Sequence, residues 1–350
     1  MEMEHQSRPR VQDPCRVEPR PQPSLLLRPA NPGAMARVSK TDFRQPLRGI
    51  VPPMITPLRD RDTLDRDGLE KIVEHLLAGG VSGLFILGTT GEGPSLGYRL
   101  RRELIEHTCR QVKGRVPVLV GITDTAFVES VQVARCAAQA GADAVVLAPP
   151  YYVPEGQSEL REYLEHLLPE LPLPLFLYNM PSLTKVPFEI DTVRWAMDQP
   201  RIAGIKDSSG NMIYFSRLLD LAKQRAVWTV LVGPEELLAE SILLGGHGGV
   251  NGGANVFPKL YVELHRAAAV GELERVLQLH SLVMQVAGRL YAVGRHPSAV
   301  IKGIKCAVSS LGLAGDFMAE PFHRFRENER KVIETAVREL RELLGPLAGR

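Results

Sequence analysis

The sequence predicts an α/β protein built as a (β/α)8 TIM barrel. Three observations carry this. From residue 50 onward, short β-branched or apolar runs alternate with amphipathic segments eight times over about 220 residues, the usual span of such a barrel. The runs are apolar throughout, as parallel strands covered on both faces should be. No G-x-G-x-x-G follows the first run, which ranks the rival architecture, an open doubly wound sheet, lower.

The elements follow in order. Residues 50–55 read as a first strand made irregular by Pro52 and Pro53, and 67–77 have helical spacing with an aspartate available as N-cap. A strand over 83–87 precedes a helix over 99–112. Then come 116–120 and 127–140, 144–148 and 159–168, and 173–178 and 190–197. The last three pairs are 202–206 with 211–223, 228–232 with 235–244, and 248–251 with 258–269. These elements define a barrel domain over 46–272. Residues 273–350 are helical by pattern and contain no strand, so they read as a helical layer appended to the barrel.

Residues 1–45 differ in kind. They are rich in Pro, Arg and polar residues, with Leu25-Leu26-Leu27 as the one apolar cluster, and they read as a disordered tail. Three leucines are too few for a signal-peptide core, and Glu2, Glu4, Asp13 and Glu18 disfavour a transit peptide. Met35 is a candidate start of translation. A native N-terminal peptide from upstream of it would rule that out.

Composition excludes several classes. A net charge of +2 implies no nucleic-acid partner, and no apolar run approaches the ~20 residues of a membrane span. Cys15, Cys109, Cys136 and Cys306 are scattered without C-x-x-C spacing. That argues against a zinc site or a disulfide framework and fits a reducing, cytoplasmic location.

In a barrel of this kind the chemistry sits at the C-terminal strand ends. The most informative stretch is Gly204-Ile205-Lys206-Asp207-Ser208-Ser209-Gly210, which brings a lysine out of an apolar strand into the mouth. Burial lowers a lysine's pKa from about 10.4, and a neutral amine attacks carbonyl carbon. The bland alternative is an ammonium that snorkels to solvent. Strand two ends in Gly88-Thr89-Thr90-Gly91-Glu92-Gly93, whose hydroxyls and backbone N–H groups suit a carboxylate. It lacks the lysine of a P-loop, and alone it could be a plain glycine-rich turn. Strand five ends in Tyr178-Asn179-Met180-Pro181, strand seven in Gly233-Pro234-Glu235-Glu236, and strand eight in Asn251-Gly252-Gly253. Glu92 reads as a brace for its loop rather than a base, and His247 as structural. A lysine nucleophile, a carboxylate clamp and a tyrosine acid/base together select an α-keto acid. Neither metal nor cofactor is required, because the protonated imine is itself the electron sink.

On these residues the chain resembles the pyruvate-dependent class I aldolases and lyases, the family of dihydrodipicolinate synthase and N-acetylneuraminate lyase. The resemblance rests on G-T-T-G-E at 88–92, P-Y-Y at 150–152, Y-N-x-P at 178–181 and the lysine of G-I-K-D-S-S-G, and it spans about 47–344. It implies that Lys206 forms a Schiff base with pyruvate or a 2-keto acid and that Tyr178 shuttles protons. Thr89 would link Tyr178 to a second tyrosine, Tyr152, donated by a neighbouring subunit, which implies a homotetramer built as a dimer of dimers. Thr90, Gly91 and Ser208 would bind the keto acid.

The substrate branch is read from departures. Dihydrodipicolinate synthases carry an arginine two residues past the proline of Y-N-x-P, and here that residue is Leu183. An apolar side chain cannot replace a bidentate guanidinium clamp. Leu183 and the acidic pair Glu235 and Glu236 look more like the sialic acid lyases, where such carboxylates accept bonds from sugar hydroxyls. The bland reading is that the pair starts a helix. Asn251 is a further candidate for substrate contact, although Asn251-Gly252-Gly253 lacks the lyases' serine and the loop reads G-T-T rather than G-S-T. The reading is a retro-aldol lyase for a polyhydroxylated 2-keto acid, either N-acetylneuraminate-like or a shorter 2-keto-3-deoxy sugar acid. The rivals are a synthase condensing pyruvate with aspartate semialdehyde, a dehydratase or deaminase of the same imine chemistry, and a binding barrel without turnover.

Overall fold

The computed structural model describes residues 43 and 45–349. The expected tail, with Cys15 and Met35, lies outside the described residues except for its last positions. The barrel strands are β1 (Gly49–Ile50), β2 (Leu84–Ile86), β3 (Val118–Gly121) and β4 (Ala144–Leu147), then β5 (Leu175–Asn179), β6 (Ile202–Asp207), β7 (Thr229–Val232) and β8 (Gly248–Gly249). All are parallel, in the spatial order β1-β8-β7-β6-β5-β4-β3-β2. A bridge between Pro53 and Phe85 closes the ring, supported by Phe85 N donating to Pro52 O at 3.0 Å and Met54 N to Phe85 O at 2.8 Å.

The first strand is shorter than the sequence predicts. Pro52 and Pro53 have no N–H to give the ladder, so regular pairing stops at Ile50 and resumes as the single bridge. The helices α1 (Arg66–Ala78), α2 (Tyr98–Val112), α3 (Phe127–Ala140) and α4 (Gln157–Leu167) lie within two residues of expectation. Asp65 caps α1 by accepting from Gly68 N. Next come a short α5 (Pro181–Thr184) that the periodicity did not reveal, α6 (Ile190–Met197), α7 (Met212–Ala222), α8 (Leu238–Leu243) and α9 (Pro258–Ala269). The helix expected over 235–244 opens as a 3-10 turn, Glu235–Leu237, before α8. A small antiparallel hairpin, Leu58–Asp60 with Thr63–Leu64, was also not foreseen.

The apolar strands have two buried faces with different jobs. Phe85, Leu119, Val146, Phe176, Tyr178 and Leu231 pack inside the barrel, while neighbours such as Leu84, Val118, Val145, Leu175 and Leu177 pack against the helices. This is why the strands show no polar alternation. Tyr178 pairs with Lys206, and Lys206 with Leu231. Because both partners face the interior, Lys206 does too.

The C-terminal layer consists of α10 (Leu273–Tyr291), α11 (Ala299–Ser310) and α12 (Glu327–Leu344). It buries faces at helical spacing, such as Val276, Leu279, Val283, Val286 and Leu290 on α10. Layer and barrel belong to one compact unit. Among the described residues no helix is long and apolar enough to cross a membrane, and no cluster of His, Cys, Asp and Glu could hold a metal ion. Burial pushes the thiols of Cys109 and Cys306 up to about 12.

Candidate active site

Lys206 is buried, 6% exposed, where β6 reaches the mouth. Its Nζ lies 4.0 Å from the centre of the Tyr178 ring and 5.3 Å from that of Phe85. The Tyr178 hydroxyl shares a hydrogen bond of 3.2 Å with Thr89 Oγ1. The amine, the phenol and the threonine hydroxyl thus come together from strands six and five and the loop after strand two.

The next residue pair clamps the strands that carry them. Asn179 Nδ2 donates to Asp207 Oδ1 at 2.8 Å, and Asn179 Oδ1 accepts from Phe188 N at 3.0 Å. Ser209 donates to Asp207 through both its N–H and its hydroxyl. Burial raises the Asp207 carboxyl above the ordinary range against these bonds. Asn179 and Asp207 sit inside the motifs, yet neither motif carries a separate signal for this clamp.

The Thr89-Thr90 loop is held by close backbone approach. A Cβ on Gly93 would lie 2.2 Å from Leu87 O, and one on Gly91 2.8 Å from Met54 O. The carbonyl of Gly91 accepts from Thr56 Oγ1 at 2.7 Å. Gly91 therefore seats the loop on the barrel and is not on the cavity wall. Thr89 and Thr90 do line the mouth cavity, of about 610 Å³, together with Tyr178, Lys206, Ser208 and Glu236. Its outer wall is largely apolar, with Leu183, Pro234, Pro297, Ile301 and Phe322. A smaller cavity of about 190 Å³ opens on the other side of Thr89 and Tyr178, against Pro94, Thr123 and Tyr151.

Two of the expected residues are engaged by the protein's own groups. Glu235 reaches the wall, but its carboxylate is already occupied. It accepts from Tyr261 Oη, from Tyr291 Oη at 2.7 Å and from Gly253 N at 2.8 Å. Burial against these donors pushes Glu235 up to about 7. Such a group ties α9 and α10 to the strand-seven loop and has little left to offer a sugar hydroxyl. Glu236, half-buried on the cavity wall, keeps that possibility. Asn251 is fully buried and donates to Gly233 O at 2.9 Å, so it braces neighbouring loops and does not line the cavity.

Tyr152 is not brought to the site within this chain. It is 93% exposed and held at φ 94°, a left-handed conformation rare for a tyrosine. His247 is a buried group whose Nδ1 accepts from Val230 N at 2.9 Å, and burial pushes it down to about 4. The sequence reading missed Tyr261, Tyr291 and Lys305. Lys305, fully buried on α11, pairs with Glu92 and so supplies the brace expected of that glutamate.

Comparison with known proteins agrees with this architecture. The model of the dihydrodipicolinate synthetase family matches residues 46–340. A solved structure of dihydrodipicolinate synthase from Bacteroides thetaiotaomicron is 55% identical with a TM-score of 0.82, covering 84% of this chain and 99% of that one. YagE of Escherichia coli K12, described as a member of the dihydrodipicolinic acid synthase family in complex with pyruvate, is 29% identical with a TM-score of 0.79, covering 84% and 98%. The Escherichia coli K12 protein named "Probable 2-dehydro-3-deoxy-D-pentonate aldolase YjhH" is 32% identical over 76% of this chain and 87% of its own length. The chain belongs to the dihydrodipicolinate synthetase family and is a carbon–carbon lyase of that family.

Proposed function

We propose that the chain is a Schiff-base-forming class I lyase that cleaves a polyhydroxylated 2-keto acid into pyruvate and an aldehyde. The observation that carries this reading is the buried Lys206 amine against the Tyr178 ring, with Thr89 bonded to the phenol.

Lys206 Nζ adds to the C2 carbonyl of the substrate, and loss of water leaves a protonated imine. Tyr178 gives its phenolic proton to the hydroxyl leaving C2 and then takes the proton of the C4 hydroxyl. The C3–C4 bond then breaks, its electron pair moves into the iminium to give an enamine, and the aldehyde departs. Tyr178 returns the proton to C3, and water releases pyruvate and restores the amine. Thr90 and the loop N–H groups hold the carboxylate. Ser208 stands on the same wall.

The outer cavity supports an uncharged distal part of the substrate. Leu183 stands there in place of a guanidinium, and Glu236 would repel an anionic aldehyde but accept bonds from hydroxyls. The aldolase relative that acts on a deoxy-pentonate, by its name, supports the same branch. The second reading is the synthase that condenses pyruvate with aspartate semialdehyde, which the relative from Bacteroides thetaiotaomicron favours.

The exposed Tyr152 and the small cavity beside Thr89 support assembly into a homotetramer in which a neighbouring copy's Tyr152 enters that cavity. The test of substrate is pyruvate release from a panel of 2-keto-3-deoxy acids, run beside condensation of pyruvate with aspartate semialdehyde. Release from a sugar acid is the expected result. Condensation alone would move the chain to the synthase branch.

A further inference from the structure

We propose that Glu92 and Lys305 form a positioning pair through which the C-terminal layer holds the Thr89-Thr90 loop in its working geometry. The proposal rests on the functional reading above for its effect on turnover, but not for its effect on the loop.

Lys305 lies on α11, and its side chain is completely buried, as is that of Glu92. Its Nζ donates to Glu92 Oε2 and to Phe317 O, the latter at 2.6 Å. The other oxygen, Glu92 Oε1, accepts from Ala319 N at 2.8 Å. The whole carboxylate is therefore held by residues more than two hundred positions downstream. Burial pushes Lys305 below the ordinary lysine value, while the Glu92 charge works to restore it.

Stability alone gives little reason for such a pair, because a buried ion pair often does no better than apolar residues of similar size. What the pair does uniquely is fix a point on the reactive loop. Glu92 stands at φ 56°, a left-handed conformation that surrounding structure must enforce. Glu92 N donates to Thr89 O at 3.0 Å, and Gly93 N to Gly88 O at 3.2 Å, so the loop is one closed turn. A displacement of Glu92 is passed to Thr89, whose hydroxyl must stay within bonding distance of Tyr178. Lys206 and Tyr178 sit on strands that the Asn179 to Asp207 bond locks independently. Loss of the pair should disturb the threonines and spare the amine.

The experiment compares Lys305→Met and the double variant Glu92→Gln/Lys305→Met with the wild type. It reads thermal unfolding, hydrogen exchange of peptides covering 88–97 and 202–207, turnover, and borohydride trapping of pyruvate on Lys206. Expected for Lys305→Met is faster exchange over 88–97 with 202–207 unchanged, turnover down on the order of ten-fold or more, and Lys206 still trapped. The double variant removes the stranded charge, so its unfolding temperature should recover while loop exchange and turnover do not. Recovery of loop protection and turnover in the double variant would reduce the pair to a structural role and overturn the proposal. So would an unchanged loop in folded Lys305→Met. If wild-type Lys206 traps no pyruvate, the functional reading falls, and the exchange data still decide this inference.

Discussion

Lys206 and Tyr178 are register partners on adjacent parallel strands, and the amine sits 4.0 Å from the centre of the phenol ring. Sheet pairing, not a flexible loop, sets this spacing. An imine carbon formed on Nζ would therefore form beside a phenol already bonded to Thr89.

Replacing Tyr178 with Phe keeps the ring against the amine and removes only the hydroxyl. We expect turnover to fall by a factor on the order of 10² or more, with a slow pyruvate adduct still forming on Lys206. Steady-state kinetics and mass spectrometry read the two effects separately. Unchanged turnover would remove the proton shuttle from the mechanism.

Much of this arrangement was legible in the sequence because parallel strands buried on both faces leave unbroken apolar runs. A lysine or tyrosine ending such a run has only the mouth to enter. Short-range spacing could not reveal Glu235's captors, since Tyr261 and Tyr291 lie 26 and 56 positions further on. Glu235 and Glu236 look alike as neighbours, and the fold separates them by giving one carboxylate three donors. Lys305 likewise reads as an ordinary helical lysine until the layer folds over the barrel. Pro52 and Pro53 announced an irregular strand, but not that a single bridge would close the ring.

Leu183 is half-exposed on the cavity's outer wall. Leu183→Arg should introduce a guanidinium able to bind an anionic aldehyde. Condensation of pyruvate with aspartate semialdehyde should rise by at least ten-fold, roughly the 1.4 kcal/mol that a charge-assisted bond can supply. Cleavage of neutral sugar acids should fall. A variant whose preference does not move would show that this position does not read the second substrate.

Tyr152 offers a test of assembly. Tyr152→Phe and Lys206→Ala should each be nearly inactive as pure homo-oligomers. Refolded together, they should recover part of the wild-type activity, because a mixed assembly can join an intact Lys206 with a neighbour's intact Tyr152. No recovery in verified mixed oligomers would confine each site to one chain.

Glu235 makes stability depend on pH. Its carboxyl is raised from 4.5 to about 7, so the folded chain holds a proton that the unfolded chain releases. The resulting stabilisation is complete below about 4.5 and is lost as pH rises through 7, a change of about 3 kcal/mol. Urea unfolding between pH 5 and 8 should show a shallower decline for Glu235→Gln than for the wild type. Parallel pH profiles would mean that Glu235 keeps an ordinary carboxyl value in the folded chain.

The most direct measurement is borohydride reduction in the presence of pyruvate, followed by peptide mapping. The account predicts a reduced pyruvate adduct on Lys206 in the wild type and none in Lys206→Ala. An adduct on another lysine, or none in an active wild-type enzyme, would contradict it.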